Sequence, residues 1–176
     1  MTAPSPYLVA PLPGFTPQVG RLVTMMLYAR RTTLETVEGL TTEQLDYAHD
    51  AESNTIGALL AHVAAVEVSY QRGSFEGRGL TREDAARWGA ALALGERARR
   101  RIRGRPLASY LGDLEEVRAQ TLGELARRDD AWLEQTTPFW NGLPANNYFM
   151  WFHVFEDEIN HRGQMRWLRK RLPGSP

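Results

Sequence analysis

The side chains of His153, Asp157 and His161 recur at every fourth position near the end of the 176-residue sequence. In an α-helix, four residues turn the chain by about 400°, so each of the three lies only about 40° around from the previous one. The three side chains therefore share one stripe of a helix. Large apolar residues surround this stripe, which indicates that part of it faces a core. Polar groups held inside a protein need partners, and a metal ion suits imidazole and carboxylate together.

A further ligand has to come from elsewhere in the chain, and His62 is the best candidate. It lies among apolar residues at helical spacing, beside Leu59 and Val66 on the surface of the predicted helix. A histidine standing alone there would be a buried side chain hydrogen-bonded to a neighbour. Its combination with the Asp157 and His161 pair favours a metal ligand instead. For His153 the pattern leaves two interpretations open, a member of the site and a histidine at the edge of the core.

Apolar residues at helical spacing predict the elements that must position these side chains. They indicate four long helices, at about residues 17–38, 55–72, 107–127 and 147–172. Thr16 followed by Pro17 is a helix start signal, and Gly39 marks the end of the first helix. Residues 81–101 form a less regular helical insertion between the second and third helices. Because no stretch alternates as strands do, the sequence predicts an all-α four-helix bundle with almost no strand.

The composition limits the classes of function. The chain is 43% hydrophobic and 24% charged, which is typical of one globular domain, and we assign residues 1–176 to it. Four prolines within residues 1–16 predict an extended N-terminal arm. A formal net charge of zero argues against nucleic acid and acidic membranes as partners. No run has the length of an export signal or a membrane span, so we expect a cytoplasmic location.

Two short motifs carry a resemblance to a known family. Residues 54–63 read NTIGALLAHV, and residues 161–164 read HRGQ. In this order and at this distance they resemble the DinB/YfiT-like superfamily, which includes metal-dependent thiol S-transferases that use mycothiol or bacillithiol. The resemblance spans most of the chain and implies a four-helix bundle, often a homodimer. It also implies a divalent metal held by His62, Asp157 and His161. Many members carry His or Glu where this chain has Asp157, and His153 is an alternative ligand or a neighbour of the site.

The ligand set that the resemblance implies suggests two kinds of chemistry. Two nitrogens and one carboxylate oxygen leave a coordination position open, as in catalytic metal sites. A metal there could activate water for hydrolysis, or hold a thiol as thiolate for S-transfer to a small-molecule substrate. The chain contains no Cys, so the thiol would be an external low-molecular-weight one. Zinc or nickel fits best, and iron or manganese also suits the ligands. The alternative to an enzyme is a non-catalytic, metal-binding or stress-related dimeric bundle.

Other side chains have simpler interpretations. We expect Glu67, Glu156 and Glu158 to pair with arginines. Trp140, Phe149 and Trp151 are candidates to line the mouth of a pocket near the metal. One cluster of positive charge predicts a solvated face, with an anion site as the minor alternative. Its members are Arg97, Arg99, Arg100, Arg101, Arg103 and Arg105.

Overall fold

Helices account for most of the protein in a computed structural model that describes residues 5 and 7–173. Within these residues the α-helices are α1 (Pro17–Val37), α2 (Thr42–Leu45), α3 (Ile56–Tyr70), α4 (Arg82–Ala93), α5 (Gly95–Arg101), α6 (Leu107–Leu125), α7 (Asp130–Leu133) and α8 (Asn147–Arg169). The long helices are α1, α3, α6 and α8. Helix α1 packs on α8 and α6, and α3 packs on the same two helices, so the four close into a bundle. The predicted all-α four-helix bundle is confirmed.

The insertion between the second and third long helices is helical, as predicted, and it packs against α3 through α4. It breaks between α4 and α5, where Leu94 adopts a φ of 51° and Gly95 a φ of 57°. The backbone N–H of Gly95 donates to Oδ1 of Asn54 over 2.8 Å. This hydrogen bond ties the break in the insertion to the segment just before α3.

Helix α3 ends earlier than the sequence pattern suggests. The α-helix stops at Tyr70, and the chain continues as a π-helical turn over Gln71–Phe75. In this turn the buried side chain of Gln71 donates to the carbonyl of Val117 and to the hydroxyl of Thr121 on α6, each over 2.9 Å. These long-range partners are invisible to local periodicity.

The start of α1 also differs from the prediction. Thr16 makes no capping hydrogen bond with its side chain, although Pro17 does stand at the first turn. Instead Oδ1 of Asp130, on α7, accepts the backbone N–H groups of Gln18 and Val19 over 2.9 and 3.2 Å. The hydroxyl of Thr16 donates to the same oxygen. The cap of α1 therefore comes from a residue more than 100 positions away.

Two short strands precede α8. The strands β1 (Thr136–Pro138) and β2 (Pro144–Asn146) pair antiparallel and enclose a 3-10 turn over Trp140–Gly142. The hairpin joins α8 directly, because Asn146 caps that helix by accepting the N–H of Phe149 over 2.8 Å. The expectation of almost no strand is confirmed. No helix within the described residues is long and apolar enough to cross a membrane.

The N-terminal arm is described only in part. Residues 1–4 and 6 of the predicted arm lie outside the described residues. Residues 7–16 contain no helix or strand, and Leu12 and Phe15 pack against the apolar cluster formed by α1, α6, α7 and α8. The ring of Tyr7 meets that of Tyr28 on α1, with centroids 6.4 Å apart. This part of the arm therefore lies along the bundle.

Four buried charges sit in the middle of the bundle, one from each long helix. Arg30 and Arg118 are 7% and 5% exposed, and Glu67 and Glu158 are fully buried. Glu67 accepts from both arginines, over 3.0 Å from Arg30 and 2.7 Å from Arg118. Glu158 also accepts from both, over 2.9 and 3.2 Å. We call these four residues the ionic network. The predicted arginine pairing of Glu67 and Glu158 is confirmed.

Candidate metal centre

The candidate site forms where α3 and α8 pack against each other. Thr55 caps the start of α3, because its hydroxyl accepts the N–H of Ala58 over 3.1 Å, and the helix carries His62 two turns further on. Helix α8 carries Asp157 and His161 one turn apart. One ligand atom from each of the three side chains lies within 4.8 Å of the others. The sequence motifs, almost 100 residues apart, thus meet in space as the prediction requires.

The carboxylate of Asp157 lies between the two imidazoles. Its Oδ2 is 3.7 Å from Nε2 of His62, and its Oδ1 is 3.4 Å from Nε2 of His161. The two rings are 4.7 Å apart between centroids and stand at 80° to each other. Both histidines are 9% exposed. The three donors therefore face one point that is largely shielded from water.

The other nitrogen of each imidazole has a partner that can only accept a hydrogen bond. Nδ1 of His62 lies 2.9 Å from the carbonyl oxygen of Ala91 on α4, and Nδ1 of His161 lies 3.2 Å from Oε1 of Gln164. An Nδ1 that carries the proton donates it to that oxygen. In the neutral imidazoles this leaves a lone pair on both Nε2 atoms, pointing toward Asp157.

In this tautomer the two Nε2 atoms and the carboxylate of Asp157 face one another as acceptors, and either a proton on His161 or a metal cation can join them. Oδ2 of Asp157 is buried and accepts no hydrogen bond. Burial alone would raise the pKa of Asp157, but the imidazoles of His161 and His62 hold that pKa well below its usual range. Burial alone would lower the pKa of His161, but the carboxylate of Asp157 outweighs it and raises the pKa. A divalent cation fits this donor set, because it would satisfy all three groups at once.

His153 lies outside this group of donors. Its Nδ1 is 3.3 Å from Oε2 of Glu156, and its ring is surrounded by aromatic side chains. Trp140 is the nearest of these, at 4.9 Å between ring centroids. The described residues bring only the other three predicted side chains together. A role for His153 as an alternative ligand stays a prediction.

The sequence pattern did not identify several neighbours of the site. The carbonyl of Ala91 is a backbone group on the insertion, so no residue type signals that it orients His62. Tyr70 lies at the end of α3 and meets the ring of His153 at 5.9 Å between centroids. Burial first, and then the negative charges of Asp157 and Glu156, raise the pKa of Tyr70 to about 12. Its place in a run of apolar helix positions suggested only a core residue.

Other predictions near the site have mixed outcomes. Glu156 accepts a hydrogen bond from Asn160 and faces His153, so its expected pairing with an arginine is wrong. Trp151 cannot line a pocket mouth, because it is fully buried. Trp140 and Phe149 are exposed near His153.

The predicted solvated face agrees with the observed exposure of its arginines. Arg97, Arg100, Arg101 and Arg103 are exposed, and Arg99 and Arg105 are half-buried. Arg100 pairs with Glu96 and Arg105 with Asp113. An anion site there is not needed to explain these charges.

A four-helix bundle with His62, Asp157 and His161 between two of its helices is the architecture that the resemblance to the DinB/YfiT-like superfamily implies. A family model described as mycothiol-S-transferase matches residues 21–174. The chain is therefore a member of the mycothiol-S-transferase family, and the resemblance seen in the sequence is confirmed.

One solved structure shows how widely this fold extends. It is described as the conserved protein of a locus from Enterococcus faecalis. It superposes with a TM-score of 0.62 at 13% sequence identity, and the match covers 87% of this chain and 95% of that one. At this identity the likeness shows a shared fold and nothing about activity. No functionally curated protein matches the sequence.

Proposed function

We propose that the protein is a divalent-metal-dependent thiol S-transferase that uses an external low-molecular-weight thiol of the mycothiol or bacillithiol type. His62, Asp157 and His161 would hold the metal. Membership of the mycothiol-S-transferase family supports the reaction type. The absence of Cys from the sequence supports an external source for the sulfur.

One observation carries the proposal of a metal. Two imidazoles, each fixed through Nδ1, direct the lone pairs of their Nε2 atoms at a carboxylate whose Oδ2 accepts no hydrogen bond. A structural cluster would instead pair its acceptors with donors, as the ionic network does. Zinc and nickel both suit two nitrogens and one carboxylate oxygen.

The chain's own residues bind and orient in this proposal. A bound divalent cation would supply the acidity that keeps a thiol deprotonated at neutral pH. Ala91 and Gln164 keep both imidazoles in the tautomer that can ligate. The low exposure of both histidines excludes most water from the donors, which favours a thiolate over a hydrated ion.

Metal analysis tests the first half of the proposal. We expect about one zinc or nickel ion per chain after incubation and desalting, and loss of that ion in His62→Ala. The matched control is His49→Ala, which removes a histidine packed on Trp167 and away from the cluster. An ion that persists in His62→Ala, or wild-type protein that binds none, would overturn the metal site.

Thiol dependence tests the second half. The metal-loaded protein is assayed on a panel of electrophiles with mycothiol, bacillithiol, glutathione or no thiol. We expect product only with an added thiol, and loss of product in His62→Ala but not in His49→Ala. Turnover without any thiol would show that the centre activates water, and the S-transferase proposal would then be wrong.

A further inference from the structure

A group of aromatic side chains surrounds His153 at one end of the candidate metal centre. Tyr70, Phe139, Trp140 and Phe149 lie with their ring centroids 5.9, 6.5, 4.9 and 6.1 Å from that of His153. All four stand at 62° or more to the imidazole, so each ring meets it edge to face. We call the four rings the aromatic wall. They come from three elements: the end of α3, the hairpin and the first turn of α8.

Part of the aromatic wall is open to solvent. Trp140 is 63% exposed and Phe149 is 43% exposed, whereas the aromatic residue Trp151 on the same helix is fully buried. Trp140 stacks on Phe139 at 4.8 Å and 27° and meets His153 at 4.9 Å and 86°, yet more than half of its surface stays open to solvent. The hairpin fixes these rings at the surface, because Phe139 and Leu143 pair through their backbones over 2.8 Å.

The aromatic wall is continuous with the metal centre. His153 precedes Asp157 by one helical turn, so both side chains lie on the same stripe of α8. Tyr70 adds a contact from the other helix, since its ring meets that of His153 at 5.9 Å between centroids. A molecule lying on the wall would therefore extend toward the three metal-binding donors.

We propose that the aromatic wall binds the second substrate of the S-transfer reaction, and that this substrate is an electrophile with an aromatic ring attached to its reacting group. The ring would contact the exposed surfaces of Trp140 and Phe149, stacked or edge to face as aromatic pairs prefer. This proposal rests on the proposed function, because that function supplies the S-transfer reaction in which the electrophile takes part. The binding of an aromatic ketone to the wall can nevertheless be measured without any thiol or turnover.

The test compares two unreactive ketones that differ only in their flat ring. Propiophenone and 2-butanone are titrated into zinc-loaded protein without thiol, and binding is followed by NMR. We expect propiophenone to bind more tightly than 2-butanone. The substitution Trp140→Ala should lower the affinity for propiophenone by about 2- to 10-fold, which corresponds to the loss of one aromatic contact. Binding of 2-butanone should stay unchanged.

Trp167→Ala is the matched control, because Trp167 is also an exposed tryptophan of 43% exposure but packs on His49 instead of His153. It should bind propiophenone as the wild type does. Phe149→Ala provides a second variant in the aromatic wall and should also lower the affinity for propiophenone. Equal binding of the two ketones, or equal losses in Trp140→Ala and Trp167→Ala, would overturn the proposal.

The two proposals fail in different ways. If propiophenone binds at the wall but no thiol supports turnover, the S-transferase proposal fails and the aromatic subsite stands. If thiol-dependent turnover occurs with equal kcat/KM for phenyl vinyl ketone and methyl vinyl ketone in both the wild type and Trp140→Ala, the reaction stands and the aromatic subsite is wrong.

Discussion

At the scale of single residues, the candidate centre depends on how its two imidazoles are oriented. The insertion holds His62 through a backbone carbonyl, and α8 holds His161 through the side chain of Gln164. Only the second contact can be removed by substitution. Gln164 is exposed, so replacing it disturbs little else.

We therefore expect Gln164→Met to weaken zinc binding by about 10- to 100-fold without abolishing it, the usual effect of losing a group that orients a metal-binding histidine. Competition with a chromogenic chelator measures the affinity. Asn160→Ala, one turn earlier on α8 and also exposed, serves as the control and should bind zinc as the wild type does. Unchanged affinity in Gln164→Met would show that His161 does not need this partner.

At the scale of elements, helix starts show what local sequence can and cannot predict. Asn146 caps its own helix, as its residue type suggests. Thr16 has the right residue type and is followed by Pro17, yet the cap of α1 is Asp130. A capping preference describes one residue beside its helix, and it says nothing about a carboxylate that tertiary structure brings to the same N–H groups.

This difference yields a prediction about stability. Asp130→Ala should lower the free energy of unfolding by about 0.5–2 kcal/mol, because it leaves the N–H groups of Gln18 and Val19 without their acceptor. Thr16→Ala should lower the free energy of unfolding by less, since the hydroxyl of Thr16 only donates to Oδ1 of Asp130. Urea unfolding of both variants measures the two losses. A larger loss of unfolding free energy in Thr16→Ala would indicate that Thr16 caps α1, as the sequence suggests.

At the scale of the whole molecule, the ionic network connects the four long helices. Along α1, α6 and α8 its member lies between two groups of buried apolar residues, so on these helices the charges separate two halves of the core. Burial alone would raise the pKa of Glu67, but the guanidinium groups of Arg118 and Arg30 lower it. Such a network is costly to break, because each remaining charge would be left buried without its partner.

Glu67→Gln should therefore reduce the free energy of unfolding by about 3–5 kcal/mol, measured with urea at pH 7. The control is Glu35→Gln, which removes an exposed pairing with Arg31 one turn away on α1 and should cost less than about 0.5 kcal/mol. Equal losses of unfolding free energy in the two variants would mean that the buried ion pairs of Glu67 stabilise the protein no more than an exposed pair does.

The lowered pKa of Glu67 predicts that the free energy of unfolding depends on pH. Its pKa in the folded protein lies below the value of about 4.3 for an unfolded chain, so its stabilising contribution is complete above that pH. The contribution is lost as the pH falls from there through the folded pKa. We expect the stability difference between wild type and Glu67→Gln to shrink below about pH 4.3 in urea titrations. A difference that grows in acid would contradict the lowered pKa.

The sequence predicts the bundle and two of the three donors because both leave periodic signals. Apolar spacing marks the long helices, and a spacing of four marks Asp157 and His161 on one stripe. The position of His62 opposite them follows from the family resemblance. Other surroundings of the site leave no such signal: Ala91 acts through its backbone, and Tyr70 and Phe139 reach His153 only in the folded protein. These contacts depend on tertiary structure alone.

A crystal structure of the zinc-loaded protein, with anomalous data collected at the zinc edge, tests the central claim most directly. We expect one zinc ion about 2.0–2.2 Å from Nε2 of His62, Nε2 of His161 and a carboxylate oxygen of Asp157, with at least one coordination position left open. Zinc bound at other residues, or none between α3 and α8 after incubation with the metal, would contradict it.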